Sequence, residues 1–335
     1  MHQPRIAFIA QPEYFRFTYE QALADAAQVR ELALVPMRLA NDFGPLLDFN
    51  ADYNIFFRGE WVPAAVLQAL TGTSIALSSE PFPRRIAGRW QWTLDSLDRY
   101  LHFRAIRQRP FDYVFHYDAA SLPLFAADGL HCSGDFALPV ALDVYHPAPA
   151  TPEWDLFFIG RSSRHREAFF GPLKHAYRFL HICHGIWGAE LVQYVRRAHI
   201  CLNVHAEAEI SWEPRVQMLL ACGVLLISER ITPNPVLRPG IDYVEVDSPR
   251  QMHEAVAHYL AHPQERERIA AAGAARVANL LDARACYLSL LDRIEAGDVP
   301  RFQPGQPARA LAAAGRVHAQ TLKLRAALAR AGRRP

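Results

Sequence analysis

Short apolar runs alternate with amphipathic stretches of helical period along most of the chain, and this alternation predicts a parallel α/β architecture. In the first half the runs predict strands over Arg5–Ala10, Glu31–Val35, Tyr53–Phe57, Ser74–Leu77, Tyr113–His116 and Leu130–Cys132. The stretches between them predict helices over Thr18–Val29, Pro63–Leu70, Leu94–Arg107 and Ala120–Ala127. In the second half strands are expected over Leu156–Ile159, Phe179–Ile182, Ile200–Val204, Val224–Ile227 and Tyr243–Val246. Helices at Arg164–Lys174, Ala189–Arg196, Pro214–Ala221 and Pro249–His262 separate them, the last interrupted at His262-Pro263.

Between the halves, Leu138–Trp154 reads LPVALDVYHPAPATPEW, with prolines at 139, 147, 149 and 152. Proline stiffens a linker and removes the donors a sheet would need, which suits a hinge between two sheets. The expected organisation is therefore a first domain over 1–138, a linker over 139–154, a second domain over 155–296 and a tail over 297–335. The halves share a βα rhythm but no tandem repeat.

A chain of 335 residues is long enough for two such domains, and 51% hydrophobic with 21% charged residues is a globular composition. The net charge of +2 gives no signal for a polyanionic partner such as nucleic acid. That charge is unevenly placed. The eight basic residues after position 300, with no acid among them, leave the rest of the chain at −6. The tail predicts an Ala-, Leu- and Arg-rich helix over about 308–331, either solvated, pairing with another helix, or a peripheral contact to anionic lipid. Five cysteines are scattered with no Cys-x-x-Cys pair, as expected of a reduced, cytoplasmic protein with buried thiols and no structural zinc. The N-terminus runs directly into a strand, without the pattern of a signal peptide, and no window of 18 apolar residues is present.

Chemistry-bearing residues concentrate at strand ends. DLFFIGRSSRHRE (Asp155 to Glu167) is a strand, a Gly-Arg turn and a basic helix start; CHGIWG (Cys183 to Gly188) follows the next strand. The stretch from Asn203 to Gly273 then carries SWEPRVQMLLACG, an apolar run, the Pro239-Gly240 turn, DSP at Asp247 to Pro249, and the helix interrupted at His262-Pro263. This order resembles the nucleotide-sugar half of GT-B glycosyltransferases, in particular the bacterial "glycosyl transferases group 1" type that includes spore-maturation-like proteins. The resemblance covers roughly 110–295 and implies a GT-B fold, two Rossmann-like domains facing a cleft. It also implies transfer of a sugar from a nucleotide-sugar donor to an acceptor, which a saccharide, lipid-linked glycan, protein or small molecule could supply.

Such chemistry needs a held diphosphate, a held acceptor and a closing hinge, with arginines and helix dipoles able to receive the departing diphosphate without metal or cofactor. Gly160, Arg161, Arg164 and Arg166 sit where open α/β sheets bind ligands, and the three arginines are diphosphate candidates. Gly185 lets backbone approach the nucleotide, and His184 is placed to touch base or ribose. Ser211 and Arg215 match polar positions of the family. Its members follow Arg-Val-Phe with an acidic residue that grips the ribose, whereas this chain has Met218 there, so either Glu213 or Glu229 takes the ribose, or donor recognition differs, or the site is degenerate. A base for an inverting mechanism would come from Glu13, Glu80 or Asp118, each directly after a first-half strand. Asp118 is equally well placed to cap the following helix. The segment Pro81–Arg104, with Trp90 and Trp92 among arginines, reads as an acceptor surface or as an amphipathic helix with its loop. Two further readings are a nucleotide-sugar isomerase of similar fold and a non-catalytic binding protein, the latter on account of Met218.

Overall fold

The computed structural model describes residues 3–35, 41–208 and 211–309, together with 311, 313 and 320. The first sheet has strands β1 (Arg5–Ala10), β2 (Gln28–Ala33), β3 (Tyr53–Phe57), β4 (Thr73–Ser78), β5 (Tyr113–His116) and β6 (Gly134–Asp135), in the order β2-β1-β3-β4-β5-β6. Every pairing is parallel. Parallel strands with cover on both faces need apolar side chains at successive positions, which is why β1, β3 and β5 read as unbroken runs. Ile6, Phe8, Ile55 and Phe57 enter one core while Ala7, Ile9 and Phe56 enter the other, the period-two alternation of a strand. β2 lies at the edge and keeps Gln28 and Arg30 in water.

The second sheet comprises β7 (Trp154–Ile159), β8 (Phe179–Ile182), β9 (Ala198–Asn203), β10 (Leu225–Glu229) and β11 (Val244–Val246), in the order β8-β7-β9-β10-β11 and again wholly parallel. The main helices are α1 (Leu94–Phe103) and α2 (Leu122–Ala127) in the first half, and α3 (Arg164–Ala176), α4 (Gly188–Arg196), α5 (Arg215–Ala221), α6 (Pro249–Ala261), α7 (Pro263–Leu280) and α8 (Ala283–Glu295) after it. The expected α/β class and the two parallel sheets are what the chain forms.

The carboxyl ends of the two sheets face each other. Tyr117, just past β5, lies 6.3 Å between ring centroids from Trp212. Arg84, past β4, donates to the carbonyl of Pro233, past β10. Gln217 on α5 donates to the carbonyl of Leu138 at the start of the linker, at 3.0 Å. The chain end ties the halves again. Tyr287 of α8 packs edge-on to Phe8 at 5.3 Å and shares a hydrogen bond with Thr18 at 2.9 Å, and Phe302 is buried in the first core.

Two expected elements differ. Thr18–Val29 is no helix: a short 3-10 turn (Arg16–Thr18) runs into successive turns and then β2. Tyr19 and Arg16 both bind Glu31 of β2, which holds this segment folded back on the sheet edge. Leu130–His131 pairs antiparallel with Gln303–Pro304 in a separate small sheet, and the sixth strand of the large sheet is Gly134–Asp135. The helix expected over about 308–331 falls almost wholly outside the described residues. No helix among those described is long and apolar enough to cross a membrane.

Candidate functional site

The carboxyl edge of the second sheet gathers a connected set of charged side chains. β7 ends in Ile159, and the chain turns at Gly160 with φ +143, where a Cβ would stand 2.8 Å from the Arg215 guanidinium. The close approach of Arg215 to this backbone therefore needs glycine. Ser163 caps α3 by accepting the Arg166 amide at 3.2 Å. The helix then opens with Arg164, His165, Arg166 and Glu167, so two guanidiniums stand at its positive end with one carboxylate beside them.

Two arginines are internal to the set. Arg166 donates to the carbonyls of Val204 at 2.9 Å and Arg161 at 2.8 Å. Arg215 donates to the Asn203 side chain and the Ile159 carbonyl, both at 3.0 Å, and to Glu213. Both guanidiniums lie 5.1 Å from the Phe158 ring centre. Burial, with the charge of Arg161 adding to it, pushes the Arg166 pKa down to about 10. Burial and Arg166 likewise push Arg215 well below its ordinary value. Arg161 thus raises the cost of charge on Arg166, and Arg166 that on Arg215, and an anion placed before them relieves it.

The carboxylates of this edge are held by arginine, histidine and backbone donors. Glu213 binds Arg215 and stands 3.5 Å from Arg166 and 3.7 Å from His205. Glu229, last in β10, binds His165 at 2.8 Å and accepts the His205 amide at 3.0 Å. Ser211 is buried against His205 Nδ1 at 3.1 Å. Gly160, Arg161, Ser211, Glu213, Arg215 and Glu229 are therefore one network, with Arg164 at its rim. Arg161 and Arg164 are exposed. His184 and Gly185 are exposed in the turn after β8, which adjoins β7, and His181 reaches the Gly160 carbonyl at 2.8 Å. Met218 is 8% exposed within the apolar core.

On the first sheet the three carboxylates are not brought together. Glu13 is exposed on the short helix Pro12–Phe15 after β1. Glu80 binds Arg58 at 2.9 Å and also Arg99. Asp118 is buried, pairs with Arg84 at 2.7 Å and caps the Ala120 amide at 3.0 Å, with burial pushing its carboxyl up against the pull of Arg84. His116 beside it is stacked on Phe82 and pushed down to about 3 by burial, so it is neutral. Beside Glu80, Arg58 has φ +64 and lies 4.1 Å over the Trp61 ring, and the hairpin of Arg84–Ile86 and Arg89–Gln91 displays Trp90.

The sequence reading missed His165, Glu20 and Arg99. His165 had a signal, its place beside Arg164 in the first turn of α3. Glu20 had none, because its carboxylate reaches the start of α4 only through the folded first domain. Among the described residues no group of three or more His, Cys, Asp or Glu side chains is placed to hold a metal ion.

Residues 160–290 match the model of a family described as glycosyl transferase-like. No curated protein matches the chain. Among solved structures, Anabaena HepE in complex with UDP-glucose aligns with 88% of this chain and 100% of its own at 10% identity, with a TM-score of 0.59. Sucrose-phosphate synthase from Thermosynechococcus elongatus aligns over 87% and 98% at 12% identity and a TM-score of 0.55. AviGT4, a glycosyltransferase involved in avilamycin A biosynthesis, aligns over 88% and 99% at 13% identity and 0.53. With two parallel sheets opposed at their carboxyl edges and a matched second half, this chain has the GT-B fold of glycosyltransferases.

Proposed function

We propose that this protein is a glycosyltransferase that moves a sugar from a nucleoside diphosphate sugar to an acceptor held on the first domain. The observation that carries this reading is the cation-rich corner at the end of β7 and the start of α3. There Arg161 and Arg164 are exposed, Arg166 is buried and Arg215 half-buried behind them, with Glu213 as their shared counter-charge. An incoming diphosphate would meet Arg161, Arg164 and the α3 N-terminus, and its charge would offset the repulsion among the guanidiniums behind them. Arginine and helix-dipole charge supplies what the departing diphosphate requires, so the proposed reaction needs no metal. Glu213 and Glu229, the carboxylates of this edge, are the ribose partners in this reading. HepE in complex with UDP-glucose supports a nucleotide-sugar donor.

On the acceptor side, Glu80 and Asp118 are tied to arginines, and Glu13 is the exposed carboxylate of the three, so Glu13 takes the acceptor proton if the sugar inverts. Trp90 and Trp92, 42% and 55% exposed, offer stacking faces to the acceptor. Five scattered cysteines with no Cys-x-x-Cys pair support a cytoplasmic location in this reading.

Calorimetric titration of nucleoside diphosphates and their sugars, with and without magnesium, tests the donor assignment. Binding of one nucleotide without metal, weakened about tenfold or more by Arg161→Ala/Arg164→Ala at unchanged Tm, is the expected result. A folded protein that binds no nucleotide in the panel would turn the reading toward a non-catalytic binding role.

A further inference from the structure

A groove-like cavity of about 600 Å³ lies away from the cleft, between the linker and the amino-terminal edge of the second sheet. Its floor includes Ala198 and Leu225, the first residues of β9 and β10, whereas the donor corner uses Asn203 and Glu229, the last. A strand of this length separates the two by about 17 Å. One wall is the proline segment of the linker, Pro147, Pro149 and Pro152. That wall is seated tightly, because a Cβ on Gly223 (φ +76) would come within 2.9 Å of Pro147.

Two arginines and a histidine line the cavity with this apolar wall. Arg196 at the end of α4 donates Nε at 2.9 Å, and also Nη2, to the carbonyl of His146, so it is locked to the linker while Nη1 stays unengaged among the described residues. Arg266 on α7 donates Nη1 to the Tyr259 carbonyl at 2.9 Å, and its Nε and Nη2 are unengaged among the described residues. His199 also lines the cavity, and burial with the charge of Arg266 lowers its affinity for a proton. Glu267 is the one acid lining the cavity and is exposed. An apolar wall lined also by two arginines, at this volume, is a composition suited to a small anion carrying an apolar body. Because Arg196 and the prolines belong to, or hold, the segment that must bend when the domains close, an occupant would bear on the hinge.

We propose that this cavity is a second ligand site, for a phosphate or similar anion borne on an apolar or ring-shaped body, whose occupancy restrains the linker. Arg196 and Arg266 grip the anion, and the body lies against Pro147 and Pro149. The site does not depend on the donor assignment.

Phenyl phosphate is a suitable probe, titrated calorimetrically into the full chain. Binding should weaken about tenfold or more in Arg196→Ala/Arg266→Ala and stay within about twofold in Arg161→Ala/Arg164→Ala. Binding abolished by the second pair and untouched by the first would overturn the proposal while upholding an anion site at the donor corner. The reverse would uphold the proposal and leave the donor corner to be judged by its own nucleotide titrations. Absence of binding to the wild-type chain would also overturn it. A second measurement needs no variant: amide exchange at His146, Ala148, Ala150 and Thr151 should slow on saturation with phenyl phosphate, and unchanged exchange would overturn the coupling to the hinge.

Discussion

The Arg84 guanidinium and the Asp118 carboxylate form a buried ion pair, Nε to Oδ2 at 2.7 Å, with side chains only 2% and 3% exposed. The same guanidinium reaches the carbonyl of Pro233 on the other domain, so the pair braces the cleft as well as filling it. Removing one partner of a buried pair leaves the other charge unpaired, which costs about 3–5 kcal/mol. Asp118→Ala should therefore lower the denaturant midpoint strongly, and Arg84→Met/Asp118→Leu should recover most of the loss. An Asp118→Asn protein with wild-type stability but no turnover would instead make Asp118 the catalytic base.

Glu20 reaches from the first domain to the start of α4, its carboxylate oxygens 3.2 and 3.3 Å from where a Gly188 side chain would begin. Burial raises its pKa, Arg16 pulls it back, and Glu31 adds to the rise. A carboxyl whose folded pKa is raised stabilises the fold while protonated and loses that contribution as pH rises through the folded value. Glu20→Gln should therefore raise Tm at pH 7, and the advantage should vanish as pH falls to about 4, where the unfolded carboxyl is also protonated. Melts of the two proteins across pH 4–8 test this, and a lower Tm for Glu20→Gln at pH 7 would contradict it.

Much of the fold was legible because buried parallel strands must be apolar at successive positions, as Ile6 to Ala10 and Leu156 to Phe158 are. What local periodicity cannot carry is pairing at long range. Leu130–His131 looks like another strand of the large sheet, yet its partner is Gln303–Pro304, more than 170 residues away. Thr18–Val29 has helical spacing of Ala22, Leu23 and Ala26, but Arg16 and Tyr19 are held by Glu31 on the sheet edge. The site divides the same way. A strand, a Gly-Arg turn and a basic helix start mark Arg161 and Arg164 from sequence alone. That Arg215 is bound to Ile159 and Asn203, with Glu213 between it and Arg166, depends on tertiary contacts that spacing does not report.

Arg215 and Arg161 should accordingly respond differently to the same change. The Arg215 guanidinium serves Asn203, Ile159 and Glu213 at once, and an ammonium cannot reproduce that fork. Arg215→Lys should cost about 1–3 kcal/mol of stability, by leaving buried acceptors unmet, and weaken nucleotide binding with it. Arg161→Lys, at an exposed turn, should leave Tm unchanged and keep most of the affinity. Melts and nucleotide titrations of both variants decide the matter, and a destabilised Arg161→Lys beside an intact Arg215→Lys would reverse the assigned roles.

The sequence resemblance places Met218 where an acid would grip the ribose, and here it lies 8% exposed among apolar side chains, its carbonyl 3.5 Å from the Cys222 sulfur. Restoring the acid tests whether the position is a ligand position or a core position in this chain. An ionised carboxylate without a partner in such surroundings is strongly disfavoured, so Met218→Glu should unfold at lower temperature and the loss should shrink as acid protonates the new side chain. Met218→Leu keeps volume and apolarity and should stay within about 1.5 kcal/mol of the wild type. If Met218→Glu instead kept its Tm and bound a nucleoside diphosphate more tightly than the wild type, the position would face the donor, and the ribose role assigned to Glu213 and Glu229 would pass to it.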